Sequence, residues 1–571
     1  MTNSPNPPAQ KLLQLAAASL RAGHHTEAED HLHKVLLHDS TNPTALQHLA
    51  LLAHNRGNTT DAKALLEKAL AAAPDNLDLL TTYGTLLHET AQPREALDAF
   101  LRILAIDSSR AQIWNAAGIC MAETAQPVRA IEFYLRAMNL DPALPESYSN
   151  LGAALFQEGD IDAAIENYRQ ALALKPDFAD CYSNLGVALR SRFQYAAAIE
   201  AFRHAARLQP DNADILSSLG EALSLIYDKA ALDTLRRSVA LRPHDPEKHW
   251  NLAAELLKRG EYLAGFREYE HRWQRTRNQR PLRAFAQPIW RGQSNEALAG
   301  TTILLHAEQG FGDTLQFLRY VPQVLALGAQ VILDVPNALV RLAKQYAHTL
   351  SADIAVVATG DPLPHFDAHI PLMSLAAAFA TTLETIPPSH RFTPSASQKQ
   401  HDARPLRIGL AWLGNAGHAR DRERSIPTEA LAPLFALPNV EWISLQADGA
   451  AAPLQQSGIA ISQPSLHDFL DTANLIDTLD LVLAVDTAVA HLAASQGVPA
   501  WILLPYVADW RWLSPSTTTN PWYPEARIFR QTKLPNGEPQ SDLWHPVIAE
   551  VGLALQALSD SISTHQLQSS L

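Results

Sequence analysis

Small and bulky apolar residues alternate along the first half of the chain on one long period. Small residues recur every 34 positions at Ala16, Ala50, Gly84, Gly118, Gly152, Gly186 and Gly220, with Ala253 one residue early. A second small track, Ala28, Ala62, Ala96, Ala130, Ala164 and Ala198, keeps the same step. A large apolar track follows it at Leu32, Leu66, Phe100, Tyr134, Tyr168 and Phe202. Pro74, Pro142, Pro176 and Pro210 mark a turn in the same phase, with Ser40 and Ser108 in the intervening places. One alanine track in an alanine-rich stretch could be coincidence; several tracks in one phase could not. The pattern predicts about eight helical hairpins over residues 11–275, the last one atypical. Residues 1–10, with Pro5, Pro7 and Pro8, read as a loose, disordered tail.

The period and residue types resemble the tetratricopeptide repeat. In such a unit a small residue on the first helix lets the second approach, and a bulky residue on the second fills the gap beside it. A proline then stops the hairpin before the next one stacks. The stacked array is an α-solenoid with a concave surface suited to holding a protein or peptide. Asn150, Asn184 and Asn251 occupy equivalent places on the first helix, which lines the concave face in this repeat class. A resemblance to O-GlcNAc transferases implies that they read a partner's backbone, since one amide both donates and accepts. The plainer alternative is a set of tolerated polar positions, because Thr82, Ala116 and Ser218 interrupt the series.

After Trp273 the periodicity changes. Residues 276–300 mix Arg, Pro and Gly around Trp290 and read as a linker. Apolar runs at 301–306, 331–335 and 354–357 alternate with helical stretches, which predicts a parallel sheet flanked by helices over residues 301–390. A Pro-, Ser- and Gln-rich segment at 387–405 contains a second linker, 391–404. A second such unit, 405–571, has strands at 406–412, 440–445, 481–485 and 500–504 and a last helix near 545–558. Two Rossmann-like halves place ligands at the carboxyl ends of their strands, so the cleft between them is the expected site.

Three ordered motifs carry a second resemblance, covering about 240 residues. The run His306-Ala-Glu-Gln-Gly-Phe-Gly-Asp-Thr-Leu-Gln-Phe-Leu-Arg-Tyr320 is similar to the first strand–loop–helix of the ADP-heptose:lipopolysaccharide heptosyltransferases, glycosyltransferase family 9. Trp412-Leu-Gly-Asn415 followed by Asp421-Arg-Glu-Arg-Ser-Ile-Pro427 resembles the family's donor-phosphate segment, with Arg424 where lysine is common. Asp486-Thr-Ala-Val-Ala-His-Leu-Ala-Ala494 resembles the Asp-Thr-Gly-x-x-His helix start, with Ala488 in the glycine place. Coupling to repeats is closer to bacterial repeat-containing relatives, including protein and flagellin glycosyltransferases. The resemblance implies a GT-B fold and Asp313 as catalytic base. It also implies a nucleotide-sugar donor met by Gly310, Gly312, Trp412, Gly414, Asn415, Arg424, Ser425, Gln446, Asp486, Thr487 and His491. The substitutions leave the sugar open.

The residues have readings of their own. Gly310 and Gly312 allow a tight strand-to-helix turn. Asp313 could take a proton from an acceptor hydroxyl, or simply cap a helix. Asp486 and Thr487 start a helix whose free amides and dipole suit a diphosphate. His491, one turn on, faces either that ligand or the core. Arg424 offers a forked donor set, although Arg420–Arg424 alternates in sign as a solvated loop would. Gln446 ends a strand where a nucleobase edge could be read. The aromatic stretch Asp509-Trp-Arg-Trp512, with Trp522 and Tyr523, could stack on a ligand or pack a lid.

Composition narrows the classes. A net charge of −14 argues against a phosphate-tracking nucleic-acid binder. Two distant cysteines, Cys120 and Cys181, give no disulfide framework and suit a reducing compartment. No apolar run approaches the roughly 20 residues of a membrane span, and Leu12–Leu20 reads as a first helix, not a signal; a cytoplasmic location is expected. The lone Asp-x-Asp, Asp160-Ile-Asp162, lies in a repeat, and no Cys/His cluster has zinc spacing, so neither metal nor cofactor is expected. The sequence therefore predicts a glycosyltransferase, inverting and metal-independent, acting on a protein hydroxyl presented by the repeats. The alternatives are a non-catalytic adaptor on a degenerate transferase fold, and an enzyme directed at a glycan.

Overall fold

The computed structural model of the chain describes residues 7–275, 282–292, 298–350, 353–394, 404–417, 420–446, 449–515, 517, 520–536 and 540–569. Residues 1–6 of the expected tail, 276–281 and 293–297 of the first linker and 395–403 of the second lie outside them. The chain forms two compact units, one of residues 7–192 with 196–210, the other of 193–195 with 211–569.

The first unit is six helical hairpins, from Pro7–Arg21 with His25–His38 to Ala179–Ser191 with Tyr195–Leu208, whose first residue, Tyr195, is assigned to the other unit. The first helix begins at Pro7, so part of the expected tail is helical. Proline is tolerated there because first-turn amides have no intrahelical partner to lose. Asn42, Asn58, Asn76 and Asp160 each accept a backbone N–H one turn into the helix they cap. The 34-residue rhythm is a packing rule. A Cβ added to Gly84, Gly118, Gly152 or Gly186 would lie 2.6–2.8 Å from the ring of Phe100, Tyr134, Tyr168 or Phe202, sixteen residues on. The glycine is therefore the space the ring occupies. Cys120 and Cys181 are buried, and burial pushes both thiols up to about 11, which keeps them protonated and inert.

The turn inside each hairpin obeys a second rule. Residues 23, 57, 91, 125 and 159 all have left-handed backbones; three are glycine, but Ala91 and Ala125 are not. Left-handed alanine costs about 1–2 kcal/mol, partly offset because glycine loses more freedom on folding. Both alanines are exposed. Ala91→Gly or Ala125→Gly should therefore stabilise this unit by about 0.5–1 kcal/mol, read as a higher denaturant midpoint at unchanged slope.

The second unit contains the last two hairpins as well as the α/β part. Helices Ala213–Leu225 with Ala230–Leu241, and Pro246–Lys258 with Tyr262–Tyr269, lead into a 3-10 turn, Glu270–Gln274. Four parallel strands follow: β1 (Thr302–His306), β2 (Gln330–Val335), β3 (Ile354–Ala358) and β4 (Ala368–Pro371), in the order β3-β2-β1-β4. A second parallel sheet holds β5 (Leu406–Ala411), β6 (Val440–Ser444), β7 (Ile461–Ser462), β8 (Leu481–Val485), β9 (Ala500–Leu504) and β10 (Arg527–Arg530). Its order is β10-β9-β8-β5-β6-β7, the doubly wound arrangement. Strands β4, β7 and β10 were not legible in sequence: they are short, and β10 carries arginine at both ends. The closing helix, Gln540–Ser569, is longer than the expected 545–558. In the first linker, Trp290 donates its N–H to the His369 carbonyl on β4.

The final hairpin shares one hydrophobic core with both sheets. Tyr262 and Phe266 are buried against Trp510 and Trp522, and Phe266 also meets Phe317. Trp522 donates its indole N–H to the Tyr262 hydroxyl at 2.9 Å. Buried Arg272 donates to both oxygens of buried Glu308, just after β1. The boundary expected at residue 275 is therefore a boundary of pattern and not of packing. A fragment of residues 301–571 would bare Trp510 and Trp522, so it should unfold without cooperativity or aggregate, whereas residues 211–571 should melt as one transition. In the whole chain Phe266→Ala should cost about 3–5 kcal/mol, measured by denaturant unfolding of this unit.

Candidate functional site

In each sheet the chain reverses direction about one central strand, between β1 and β4 in the first and between β5 and β8 in the second. Loops on either side of such a point separate and leave a crevice beyond the carboxyl ends of the strands. The expected site residues fall on these loops.

The loop after β1 ends in helix Phe311–Phe317. Gly310 donates its N–H to Asp313 Oδ2 at 2.8 Å, so Asp313 caps the helix from its third position. Its other oxygen accepts from Arg511, which also donates to Asp509 at 2.7 Å and to buried Gln316. Asp313 is thus a partly exposed carboxylate, 21% accessible, held by a guanidinium from the loop after β9. The sequence offered Arg511 only as part of the aromatic stretch Asp509–Trp512, where the signal for an ion-pair role was one cation beside Asp509 among aromatic residues. Gly312 sits where a Cβ would lie 2.7 Å from the His491 ring. Its service is close approach between the first helix of one half and helix Ala488–Gln496 of the other.

In the second sheet, contacts link the loops after β5, β6 and β8. Gln446 accepts from the Leu413 N–H at 2.7 Å, and Ser425 accepts from the Gly414 N–H at 2.9 Å. Asp421 accepts from both Ser425 and Arg424, and Arg424 also donates to the Asp486 carbonyl at 3.0 Å. A Cβ on Gly414 would collide with Asp421 and Arg424, so glycine permits this closure. Asn415 accepts from the Gly417 N–H within its own turn. Arg424 is paired and largely buried, which corrects the picture of a solvated alternating loop. Thr487 opens helix Ala488–Gln496 without using its hydroxyl as a cap.

Several expected contacts are not at an open surface. Trp412 follows β5 and is buried in the core beneath the second sheet, where it packs and does not face an open surface. His491 is buried, stacked on Trp512 and bonded to the Tyr523 hydroxyl at 3.0 Å. Burial holds it down to about 3, a neutral core histidine. Trp510, Trp512, Trp522 and Tyr523 are likewise buried, so that aromatic stretch packs and does not present a stacking face. Gln446 serves the Leu413 backbone, a structural duty in place of an open base-reading edge.

The repeat asparagines are also engaged. Asn150 donates its amide to Asn115 Oδ1 at 3.0 Å, and Asn251 donates to Ser217 at 2.9 Å and to Glu221. Asn184 holds the equivalent place, half-buried. Successive first helices stack closely enough for such amides to meet, so Asn150 and Asn251 are interhelical contacts before they are reading heads.

The fold comprises tetratricopeptide-repeat hairpins and a parallel α/β part with a topological switch point in each sheet. Models described as tetratricopeptide repeat match residues 13–76, 53–120 and 179–212, and one described as TPR repeat matches 152–192. Protein FlbA of Caulobacter vibrioides is 24% identical over 340 residues, which is 54% of this chain and 55% of FlbA. The chain thus spans about half the length of that curated relative. Among solved structures, PilF of Pseudomonas aeruginosa is 20% identical, covering 37% of this chain and 95% of PilF, with a TM-score of 0.33. YrrB, described as a TPR protein with an unusual peptide-binding site, is 22% identical, covering 32% of this chain and 95% of YrrB, with a TM-score of 0.28. Among the described residues no helix is long and apolar enough to cross a membrane.

The electrostatics of the second crevice give a test. Burial, then the charge of Asp509, pushes Asp486 up to about 6. A carboxyl raised on folding makes the native state bind more protons than the unfolded chain between about pH 4 and 6. Its penalty is therefore absent below that window and full above it. Asp486→Asn should stabilise the protein by on the order of 1–3 kcal/mol at pH 7.5, and the gain should vanish at pH 4. Chemical unfolding of both proteins across pH checks it.

Proposed function

We propose that the α/β unit is a glycosyltransferase of the GT-B type, moving a sugar from a nucleotide-sugar donor to a protein hydroxyl presented by the repeats. The observation that carries this reading is a pair of contacts between strand-end loops: Asp313 after β1 is held by Arg511 after β9, while Arg424 after β5 is bound to the backbone at Asp486 after β8. A donor diphosphate beside Arg424 and the start of helix Ala488–Gln496 would have a fixed cation and free amides near the leaving group. Asp313 then supplies the carboxylate that takes the acceptor proton, in a single displacement with inversion. No metal ion is required by that route, since the Arg424 guanidinium and the helix amides meet the developing charge. The tetratricopeptide repeats support a protein or peptide as acceptor.

The ion pair between Asp313 and Arg511 favours a second reading, a binding module without turnover. Arg511 holds one oxygen of Asp313 and the Gly310 N–H holds the other, so both oxygens are already engaged. The two readings differ in what Asp313 does. Thermal-shift screening against UDP-, ADP-, GDP- and CMP-sugars should first identify a stabilising donor. Asp313→Asn should then keep donor affinity and lose about 10²–10⁴ in transfer rate, followed by intact-protein mass. Arg424→Ala should weaken donor binding and transfer together. Transfer at the wild-type rate in Asp313→Asn removes it as base; a wild type inert with every donor it binds selects the binding module.

A further inference from the structure

The final hairpin assembles a cluster that the transferase reading does not use. His249 on helix Pro246–Lys258, Glu268 on helix Tyr262–Tyr269 and His271 on the 3-10 turn bring one ligand atom each within 4.8 Å of one another. His249 is buried. Its Nε2 lies 2.9 Å from the Pro243 carbonyl, and its Nδ1 lies 2.5 Å from Glu268 Oε2. A carbonyl only accepts, so Nε2 carries the proton and Nδ1 turns its lone pair toward the carboxylate. Two acceptors cannot face each other without a cation between them.

A proton would serve for His249 alone, but a second imidazole is stacked on it: the His271 ring lies 3.8 Å away at an interplanar angle of 10°. Both rings cannot be protonated at that distance without repulsion. A carbonyl holding the far nitrogen of a histidine is also the usual second contact of a metal-bound imidazole.

We propose that His249, Glu268 and His271 form a binding site for a divalent metal ion of the zinc type, set in the terminal repeat hairpin and apart from the crevice residues. Two imidazoles and one carboxylate suit zinc better than the oxygen-seeking magnesium or calcium. Zinc ligands at about 2.0–2.2 Å stand roughly 3.4 Å apart in a tetrahedral site, so on binding Glu268 swings back from His249 and His271 turns out of its stack to aim a ring nitrogen's lone pair at the ion. A solvent molecule supplies the fourth position. The ion ties both helices of the hairpin to the 3-10 turn whose Arg272 grips Glu308 after β1, and so braces the join between repeats and α/β unit. The sequence signal is Glu268-x-x-His271, one helical turn apart, which a search for Cys/His spacing passes over.

The test uses the full chain with no affinity tag, stripped with dipicolinate and titrated with Zn²⁺ alone. Because the chain has 23 histidines, the readout is the difference between the wild type and two variants, Glu268→Gln and His271→Ala, each first shown to be folded by circular dichroism and cooperative melting. The wild type should bind one more tight equivalent than either variant, with affinity at that site weakened at least about 100-fold by each change. Zn²⁺ should raise the melting temperature of the wild type alone, and Co²⁺ should give a visible absorption band that both variants lack. Equal binding by all three proteins, or no saturable equivalent in the wild type, overturns the site and leaves a protonated histidine–carboxylate pair.

Discussion

The second unit depends on the insertion of Tyr262 and Phe266 into the aromatic group of Trp510, Trp522 and Phe317. These rings come from three places in sequence: the last repeat, the first helix of one sheet and the loop after β9 of the other. A core drawn from all three makes each the packing surface of the others. The solenoid is usually a quasi-one-dimensional stack, each repeat touching only its neighbours. Here the stack ends on a non-repeat partner, and the α/β unit caps its last exposed helical face. Buried polar groups follow the same logic: Arg272, drawn into this core, is paired with Glu308 and Glu270 and also meets Ser374.

Around this core the two crevices are narrowed by small residues. Gly312 lets one helix start touch His491 of the other half, and Gly414 lets the loop after β5 close on Arg424. A methyl group on Gly312 would push the two helix starts apart, and one on Gly414 would displace Asp421 and Arg424 within the loop after β5. Charge is arranged with the same economy. Arg511 is shared by Asp313, Asp509 and Gln316, while Arg424 joins Asp421 to the backbone at Asp486. Several polar side chains at the carboxyl ends of these strands are engaged with one another.

Much of the fold was legible from local pattern. The repeat phase appears because each glycine and its covering ring stand sixteen residues apart within one hairpin, so the packing rule is written into a short window. The interior strands β1, β2, β5, β6, β8 and β9 were legible as apolar runs because both faces of a parallel strand are covered. Edge strand β10, Arg-Ile-Phe-Arg, has no such run. The site was legible as loops and less so as roles. Asp313, Arg424 and Asp486 stand at crevice loops, yet Trp412 and His491 lie in the core and Asn150 and Asn251 bind neighbouring helices.

The sequence by itself determined the helical hairpins, their period and the parallel α/β character of the second half. Each of these rests on residues close in the chain, where periodicity and sterics act directly. Only the tertiary structure decided that the last two hairpins belong with the sheets, that Asp313 is held by an arginine 198 residues away, and that His249 stacks on His271. Those outcomes depend on which distant segments exclude water together. A sequence pattern states how apolar a segment is and on which face; it does not state which partner will cover that face, and the charges and imidazoles carried there find their neighbours only once it is covered.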